Sequence, residues 1–231
     1  MSRRPLFVTG TDTGVGKTLI AAALLRGLRA RGHRVAGMKP VASGARQTAE
    51  GWINDDALAL MAEASVPAPY RIVNPYSFDP AVAPHIAAVE AGMRIDLREI
   101  ERAFRILSGL ADIVVVEGAG GWLTPLNEHE SFADLSRAIH ARVVMVVGMR
   151  LGCLNHALLT AQAIRASGQR LLGWVANGID PGFERASDNL RSLEERLTAP
   201  LLGSVPHQAE PSPESASGCL DFVRLEPRGR S

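Results

Sequence analysis

Hydrophobic residues recur along this chain in short continuous runs, separated by longer stretches in which they fall on one side of a helix. Continuous apolar runs are typical of strands that are buried on both faces of a parallel sheet. Strands that alternate with helices predict an α/β fold: a doubly wound, mostly parallel sheet with helices on both faces. The predicted strands are residues 6–8, 34–38, 112–117, 143–147, 171–176 and 201–205.

The spacing of apolar residues also predicts the helices between these strands. In the first helix, Ile20, Leu24 and Leu28 recur at helical spacing. Asn54 is a suitable N-cap for the second helix. Residues 66–84 are rich in proline but carry aromatic side chains, which predicts an ordered loop or a segment that covers substrate. The predicted helices cover about residues 17–31, 54–61, 96–107, 153–166 and 183–197.

The segment between the first strand and the first helix has the composition of a phosphate-binding loop. Gly16, Lys17 and Thr18 lead directly into the helix, where backbone N–H groups attract anions. Thr11 stands where the strict pattern has glycine, so the loop is a variant with one extra residue. The alternative is a glycine-rich turn with a chance lysine. The residues expected to contact phosphates are Gly14, Val15, Gly16, Lys17, Thr18 and Leu19.

Charged and polar side chains follow or end three further predicted strands. These residues are Lys39, Glu117 and Asn177. Ligands of open parallel sheets bind at the carboxyl ends of strands, so these side chains are expected to converge with the phosphate loop. Simpler interpretations remain open: Lys39 as a solvated surface lysine, and Glu117 as an acid in a glycine turn. Asp56 could serve only to stabilise the first turn of its helix.

Composition narrows the classes of protein to which the chain can belong. The chain has 231 residues, of which 46% are hydrophobic and 21% charged. These values predict one globular domain over residues 1–231, with a polar tail from about residue 208. The net charge of +1 argues against nonspecific binding to nucleic acid. The chain has no apolar run suited to a membrane span and only two cysteines, so a cytoplasmic location is predicted.

Several of these segments together resemble one family, the dethiobiotin synthetases, which are P-loop nucleotide-triphosphate enzymes. The similarity runs from about residue 6 to residue 206, so it covers nearly the whole chain. Each block by itself is a weak signal, and their combination is specific. The similar blocks are residues 9–18, 39–44, 74–76, 116–122, 151–156 and 173–177.

The resemblance implies an ATP-dependent ligase of biotin biosynthesis, which closes the ureido ring of dethiobiotin. Its substrates would be 7,8-diaminononanoate, carbon dioxide or bicarbonate, and ATP with Mg²⁺. An amine would trap carbon dioxide as a carbamate, which would attack the γ-phosphate, and the second amine would then close the ring. The resemblance also implies a homodimer whose active sites are shared between subunits, without nucleic-acid or membrane partners.

The resemblance further implies a role for each matching residue. Lys17, Lys39 and Thr11 would act in catalysis. The magnesium ligands or their shell would be Thr18, Asp56 and Glu117. Outside the phosphate loop, the nucleotide would contact Asp56, Glu117, Gly118, Ala119, Gly120, Asn177, Gly178, Pro206, His207, Gln208 and Glu214. The diamine or carbamate would contact Thr11, Lys39 and Ser43, and its carboxylate would reach Leu151, Gly152, Cys153 and Asn155 of the other subunit.

The chain departs from the family pattern at several positions, and three other classes of protein compete. Gly14 stands where some members have an acid, Arg150 where lysine is frequent, and Gly178 and His207 differ near the expected base. A chromosome-partition ATPase usually carries an extra lysine where this chain has Asp12. A cobyrinate-type amidating synthetase is longer and includes a glutaminase domain. A non-enzymatic nucleotide-binding module is the third alternative.

Overall fold

Six parallel strands form the central sheet of the computed structural model, which describes residues 5–49 and 51–225. The ten described strands are β1 (Leu6–Gly10), β2 (Val35–Met38), β3 (Val41–Ser43), β4 (Arg46–Thr48), β5 (Gly51–Ile53), β6 (Tyr76–Phe78), β7 (Ile113–Gly121), β8 (Arg142–Met149), β9 (Leu171–Gly178) and β10 (Leu201–Val205). The order in the central sheet is β10-β9-β8-β1-β7-β2. The predicted doubly wound parallel sheet is therefore confirmed.

Strand β1 lies inside the sheet, where it pairs with β7 on one side and with β8 on the other. Its five residues are all buried, which explains why the sequence shows a continuous apolar run. The chain leaves β1 for β2 on one side of the sheet and later continues from β7 to β8 across it. Such a reversal of strand order places a crevice at the carboxyl ends of the strands, which is where ligands bind.

Helices cover both faces of the sheet. The described helices are α1 (Lys17–Ala30), α2 (Asp55–Glu63), α3 (Tyr70–Val73), α4 (Pro84–Glu90), α5 (Leu97–Leu110), α6 (Phe132–Ala138), α7 (Cys153–Ala166), α8 (Ala186–Arg196) and α9 (Pro213–Gly218). One apolar cluster joins α1 and α9 and includes Leu24. The other joins α5, α6, α7 and α8 and includes Phe132. Val8 belongs to the first cluster and its neighbour Phe7 to the second, so the two faces of β1 support separate cores.

The proline-rich segment is ordered, as predicted, but it contains elements that the sequence did not reveal. Helix α3 and strand β6 lie within it, and β6 pairs in parallel with β3 outside the central sheet. The spacing of Asp96 and Glu99 in the sequence predicts a capping box, and this prediction is wrong. The Asp96 N–H donates to the Tyr76 hydroxyl at 3.0 Å, and that hydroxyl donates to Glu99 at 2.9 Å. The Tyr76 hydroxyl therefore lies between the Asp96 N–H and the Glu99 carboxylate, which would bond to each other directly in a capping box.

The predicted polar tail is folded onto the domain as far as residue 225. Helix α9 packs against α1, and the Asp221 N–H donates to the Leu202 carbonyl at 2.6 Å. Phe222 is 2% exposed and packs against Gly27 of α1. The predicted single domain of residues 1–231 includes residues outside the described ranges and stays a prediction. None of the helices within those ranges combines the length and the apolar character that a membrane span requires.

Candidate nucleotide and phosphoryl-transfer site

The phosphate loop connects β1 to α1 through glycines in a left-handed conformation. Gly14 has φ 75° and Gly16 has φ 87°, a region that other residues rarely adopt. Helix α1 begins directly after Gly16, whose carbonyl accepts the first helical bond from Ile20 at 3.1 Å. The loop therefore presents the start of a long helix at the crevice of the sheet, as the sequence predicted, and such a helix start favours phosphate.

A buried cation and two carboxylates lie together next to this loop. The Lys39 ammonium donates to Glu117 Oε1 at 2.5 Å and to Asp56 Oδ2 at 2.8 Å. The Thr18 hydroxyl donates to the same Glu117 oxygen at 2.9 Å. Lys39 is only 4% exposed, so its interpretation as a solvated surface lysine is wrong. We call Thr18, Lys39, Asp56 and Glu117 the phosphoryl-site cluster.

The contacts also revise two simpler interpretations of the sequence: that Asp56 serves only to stabilise a helix start, and that Glu117 is an acid in a glycine turn. The Asn54 side chain does cap α2, accepting from the Asp56 N–H at 3.1 Å. The Asp56 carboxylate, however, binds Lys39, so Asp56 does more than stabilise a helix start. Asp55 points to solvent, with an 82% exposed side chain near Arg46. Strand β7 does not end at Glu117 but continues through Gly118, Ala119 and Gly120 to Gly121.

Burial and charge together set the ionisation of the cluster. Burial by itself would lower the pKa of Lys39, but the attraction of Glu117 and Asp56 outweighs it and raises the pKa above the usual lysine value. Burial raises the pKa of Glu117, an effect that the Lys39 charge opposes. Burial is also the largest single effect on Asp56 and would raise its pKa. The charge and hydrogen bond of Lys39, together with the Thr18 hydroxyl and the Lys17 charge, outweigh burial and lower the pKa of that carboxyl. Lys39 is thus held as a cation between the two acids.

Lys17 has the opposite electrostatic balance. Its ammonium donates to the Asp12 carbonyl at 2.8 Å, within its own loop. Burial, followed by repulsion from the Lys39 charge, lowers its pKa from 10.5 to about 8. A polyphosphate placed at the loop would reverse this balance, because its negative charge favours the protonated lysine.

The position of Lys39 is fixed by residues whose role the sequence did not reveal. The Asn74 side-chain amide donates to the Lys39 carbonyl at 2.6 Å and to the Tyr76 carbonyl at 3.0 Å. The Tyr70 hydroxyl donates to Asn74 and accepts from the Asn54 N–H, both at 2.7 Å. The block of residues 74–76 was noticed only as a point of similarity, and this chain of bonds supplies its physical reason.

The expected base end of the nucleotide lies at the ends of β9 and β10. Asn177 is 4% exposed, and its amide donates to the Val15 carbonyl of the phosphate loop at 2.9 Å. A side chain on Gly178 would lie 2.5 Å from the His207 nitrogen and 3.1 Å from the Pro206 carbonyl carbon, so only glycine fits there. Gln208 accepts a hydrogen bond from Ser215 at 2.7 Å. The Gly178 departure from the family pattern thus has a packing reason.

Glu214 lies away from the phosphate loop. Its 79% exposed side chain pairs with Arg26 at 3.2 Å. Arg26 follows Lys17 by about two and a half turns of α1. A contact between Glu214 and the nucleotide stays a prediction.

The residues expected to bind the diamine are spread around the crevice. The Thr11 N–H donates to the Val146 carbonyl of β8 at 3.0 Å, and Ser43 ends β3. Leu151 and Asn155 are exposed, Gly152 precedes α7 with φ 94°, and the Cys153 side chain is buried. Among the described residues, none of these six makes a hydrogen bond to the phosphoryl-site cluster.

A second contact that the sequence did not reveal ties the phosphate loop to the start of α7. The Arg150 guanidinium donates to Asp12 Oδ2 at 2.5 Å, and Asp12 Oδ1 accepts from the Thr13 N–H at 2.7 Å. Asp12 thus stands at the position where partition ATPases usually carry the extra lysine, and its carboxylate is held by Arg150. The departure from the family pattern at Arg150 thus still places a cation at this position.

The cluster fits a divalent cation. Glu117 Oε2 is buried and has no hydrogen-bond partner in the structure, so it is available as a ligand. The Thr18 hydroxyl and the Asp56 carboxylate supply further oxygens, the ligand type that Mg²⁺ prefers. In the described chain, no group of three or more histidine, cysteine, aspartate or glutamate residues could hold a metal. Mg²⁺ does not require one, because it usually keeps waters and phosphate oxygens as ligands.

The fold and the site define a nucleotide-binding P-loop protein of the α/β class. A family model described as an AAA domain matches residues 4–215. The MinC:MinD cell division protein complex of Aquifex aeolicus is similar in structure, with a TM-score of 0.58 and 14% identity over 95% of this chain and 88% of that chain. MinD complexed with Mg-ADP from Pyrococcus horikoshii OT3 has a TM-score of 0.53 and 16% identity, over 98% and 90%. These two likenesses show the fold alone.

Similarity in sequence identifies the family more narrowly than similarity in structure does. The chain is 51% identical over 230 residues to the ATP-dependent dethiobiotin synthetase BioD of Xylella fastidiosa (strain 9a5c), across 99% of this chain and 100% of that protein. It is also 51% identical over 220 residues to the protein of the same name from Pseudomonas paraeruginosa (strain DSM 24068 / PA7), across 95% and 96%. The chain belongs to this AAA domain family and, more narrowly, to the ATP-dependent dethiobiotin synthetases. The predicted family, ligase class and function in biotin biosynthesis are confirmed at that level.

Proposed function

We propose that this chain closes the ureido ring of dethiobiotin at the carboxyl edge of its sheet, with Lys17 and Lys39 flanking the phosphoryl group in transfer. The phosphoryl-site cluster is the observation that carries the proposal. A buried lysine between two acids, beside a phosphate loop, provides a cation next to the site where two anions would meet. Neither the partition-ATPase nor the binding-module interpretation calls for this second buried lysine.

The reaction brings a carbamate anion to a triphosphate anion, so neutralising charge is the main task of the protein. Lys17 follows the phosphate loop and would contact the terminal phosphates. Lys39 would exchange its bond to Asp56 for a phosphoryl oxygen when ATP binds. Thr18, Asp56 and Glu117 would hold Mg²⁺, which would supply positive charge to offset the charge that develops on the phosphate oxygens.

The bonds change in three steps. One amine of 7,8-diaminononanoate adds to carbon dioxide and loses a proton, which gives a carbamate. A carbamate oxygen bonds to the γ-phosphorus while the bond to the ADP oxygen breaks, which gives a carbamic-phosphoric anhydride. The second amine bonds to the carbamoyl carbon and loses a proton, and the carbon–oxygen bond to phosphate breaks. The ring closes, and phosphate leaves with one oxygen that came from carbon dioxide.

The diamine would lie between the phosphate loop and the exposed start of α7 from a second copy of the chain. Thr11 and Ser43 would contact the reacting amines or the carbamate. Asn155 and the segment of Leu151, Gly152 and Cys153 would receive the distal carboxylate. Exposure of Leu151 and Asn155 supports this assignment, because both side chains are free to meet another molecule. The homodimer is therefore part of the proposal.

The adenine would lie against the ends of β9 and β10. Asn177 and Gly178, together with Pro206, His207 and Gln208, would surround the base, and Glu214 would contact the nucleotide from α9. The β7 residues Gly118, Ala119 and Gly120 follow Glu117 at the same edge of the sheet. We place the protein in the cytoplasm, without nucleic-acid or membrane partners, which agrees with its two free cysteines.

The test is the dependence of ATP turnover on the other two substrates. ADP release by the purified protein should require both the diamine and bicarbonate, and labelled carbon from bicarbonate should appear in an acid-stable product. ATP turnover that is equally fast without diamine would contradict the proposal and favour a partition-type ATPase. ATP binding without turnover in the complete mixture would favour a binding module.

A further inference from the structure

The side chain of Asn177 lies directly against the phosphate loop. It is 4% exposed, and its amide nitrogen donates to the Val15 carbonyl at 2.9 Å. The absence of a side chain on Gly16 makes this approach possible, since a Cβ there would collide with the Asn177 amide nitrogen. The contact is therefore a close fit between β9 and the loop and not an incidental surface bond.

The side chain of Val15 is held as well. Val15 is 1% exposed. A Cβ on Gly10 would lie 2.7 Å from one of its methyl groups, and a Cβ on Gly148 would lie 2.9 Å from the other. Two glycines on β1 and β8 thus form a socket for Val15. With its side chain in this socket and its carbonyl bonded to Asn177, Val15 has little freedom to rotate.

The bond from Asn177 also orients the next N–H group. In a trans peptide the carbonyl and the N–H point in opposite directions. The Val15 carbonyl points to Asn177, so the Gly16 N–H points away from it. The following peptide is fixed independently, because the Gly16 carbonyl accepts from Ile20 in the first turn of α1. Asn177 therefore fixes the peptide that immediately precedes the helix.

We propose that Asn177 is a positioning residue for the phosphate-binding loop, in addition to any contact it makes with the base. It holds the Val15–Gly16 peptide so that the Gly16 N–H is presented to a phosphate oxygen. This inference rests on the proposed binding of nucleotide at the loop. If Asn177 only recognised the base, its replacement would not weaken the binding of a ligand without a base. As a positioning residue, Asn177 strengthens the binding of such a ligand as well.

Inorganic triphosphate with Mg²⁺ is the ligand that separates the two roles. Calorimetric titration should show binding to Asn177→Ala that is about five- to thirtyfold weaker than to the wild type, the loss expected for one buried hydrogen bond. Asn189→Ala is the matched control, because that side-chain amide donates at 2.8 Å to the carbonyl of Arg185, the residue just before α8. It should bind triphosphate as the wild type does, and both variants should melt within a few degrees of it.

Unchanged triphosphate affinity in Asn177→Ala, with weaker ATP binding, would overturn the inference and leave Asn177 as a base contact only. A second measurement needs no variant and can still overturn the inference if Asn177→Ala does not fold. Hydrogen exchange of the Gly16 amide in the wild type should slow on addition of magnesium triphosphate. An unchanged exchange rate under saturating triphosphate would overturn the inference. Triphosphate binding requires no diamine, so failure of dethiobiotin synthesis would be recognised separately.

Discussion

Replacing Phe222 with alanine is expected to destabilise the whole chain, although the sequence places this residue in a polar tail. Phe222 is 2% exposed, and its ring fills the space left by Gly27 on α1. The Arg31 guanidinium lies 4.1 Å from the ring centroid, a favourable cation–π distance. The ring therefore attaches the C-terminal segment to the helix that begins at the phosphate loop.

The magnitude follows from the burial of the ring. Truncation of a buried phenylalanine to alanine typically costs about 3–5 kcal/mol, which includes the cavity that is left. In a chain of this length each kcal/mol lowers the melting temperature by about 2–4 °C, so a fall of about 6–20 °C is expected. Urea unfolding, followed by circular dichroism, measures the free energy directly.

Val223→Ala is the matched control for this prediction. Val223 is the next residue and is 83% exposed, so its truncation should change the free energy of unfolding by less than about 0.5 kcal/mol. Equal unfolding midpoints for Phe222→Ala and Val223→Ala would refute the docked position of the tail.

A double-mutant cycle adds a test that burial alone does not supply. Gly27→Ala should destabilise the wild type, because the new methyl group would collide with the Phe222 ring. The same substitution should cost much less in Phe222→Ala, where the ring is absent. The expected coupling is at least about 1 kcal/mol, and additive effects would show that the two residues are not in contact.

Three further predictions concern the site. Lys39→Ala should lower kcat by about 10²–10³-fold, and it should also destabilise the chain by about 3–5 kcal/mol because Glu117 is left buried without its cation. Adding Glu117→Gln to this variant should restore stability but not activity. Recovery of both would contradict the assignment. ATP binding at pH 8 should be accompanied by uptake of about half a proton, because the phosphates raise the pKa of Lys17 from about 8. Calorimetry in buffers of different ionisation enthalpy measures this uptake, which should be absent in Lys17→Met. Mixed Asn155→Ala and Lys39→Ala proteins should regain about a quarter of wild-type activity if sites are shared in a dimer, whereas no recovery after proven subunit exchange would place each site within one chain.

The phosphate loop could be predicted from the sequence because its signal is local. Strand, glycines, Lys17, Thr18 and helix are consecutive, and each follows from its immediate neighbours. The burial of Lys39 could not be predicted in this way. Its partners Asp56 and Glu117 are 17 and 78 residues away. The pairing of β2 with β7 brings Glu117 to Lys39, and the start of α2 brings Asp56.

The C-terminal tail shows a different limit of prediction. The residues of α9 are small and polar, so their composition indicates an exposed tail. Phe222 contacts α1 only because residue 27 is glycine, a fit between positions that are far apart in the sequence. Tyr76 illustrates the same limit, since its hydroxyl replaces a local bond that the spacing of Asp96 and Glu99 predicted. Local patterns predict elements, whereas side-chain fit between elements requires the structure.

The fate of the carbon dioxide oxygens tests the central claim most directly. In the proposed reaction a carbamate oxygen attacks the γ-phosphorus and later leaves with the phosphate. When the purified protein turns over ATP and diamine with bicarbonate labelled with heavy oxygen, mass spectrometry of the released phosphate should find one labelled oxygen for each dethiobiotin formed. Dethiobiotin that forms while the phosphate carries no label would contradict the account, because the carbamate would then not have attacked the phosphoryl group held by Lys17 and Lys39.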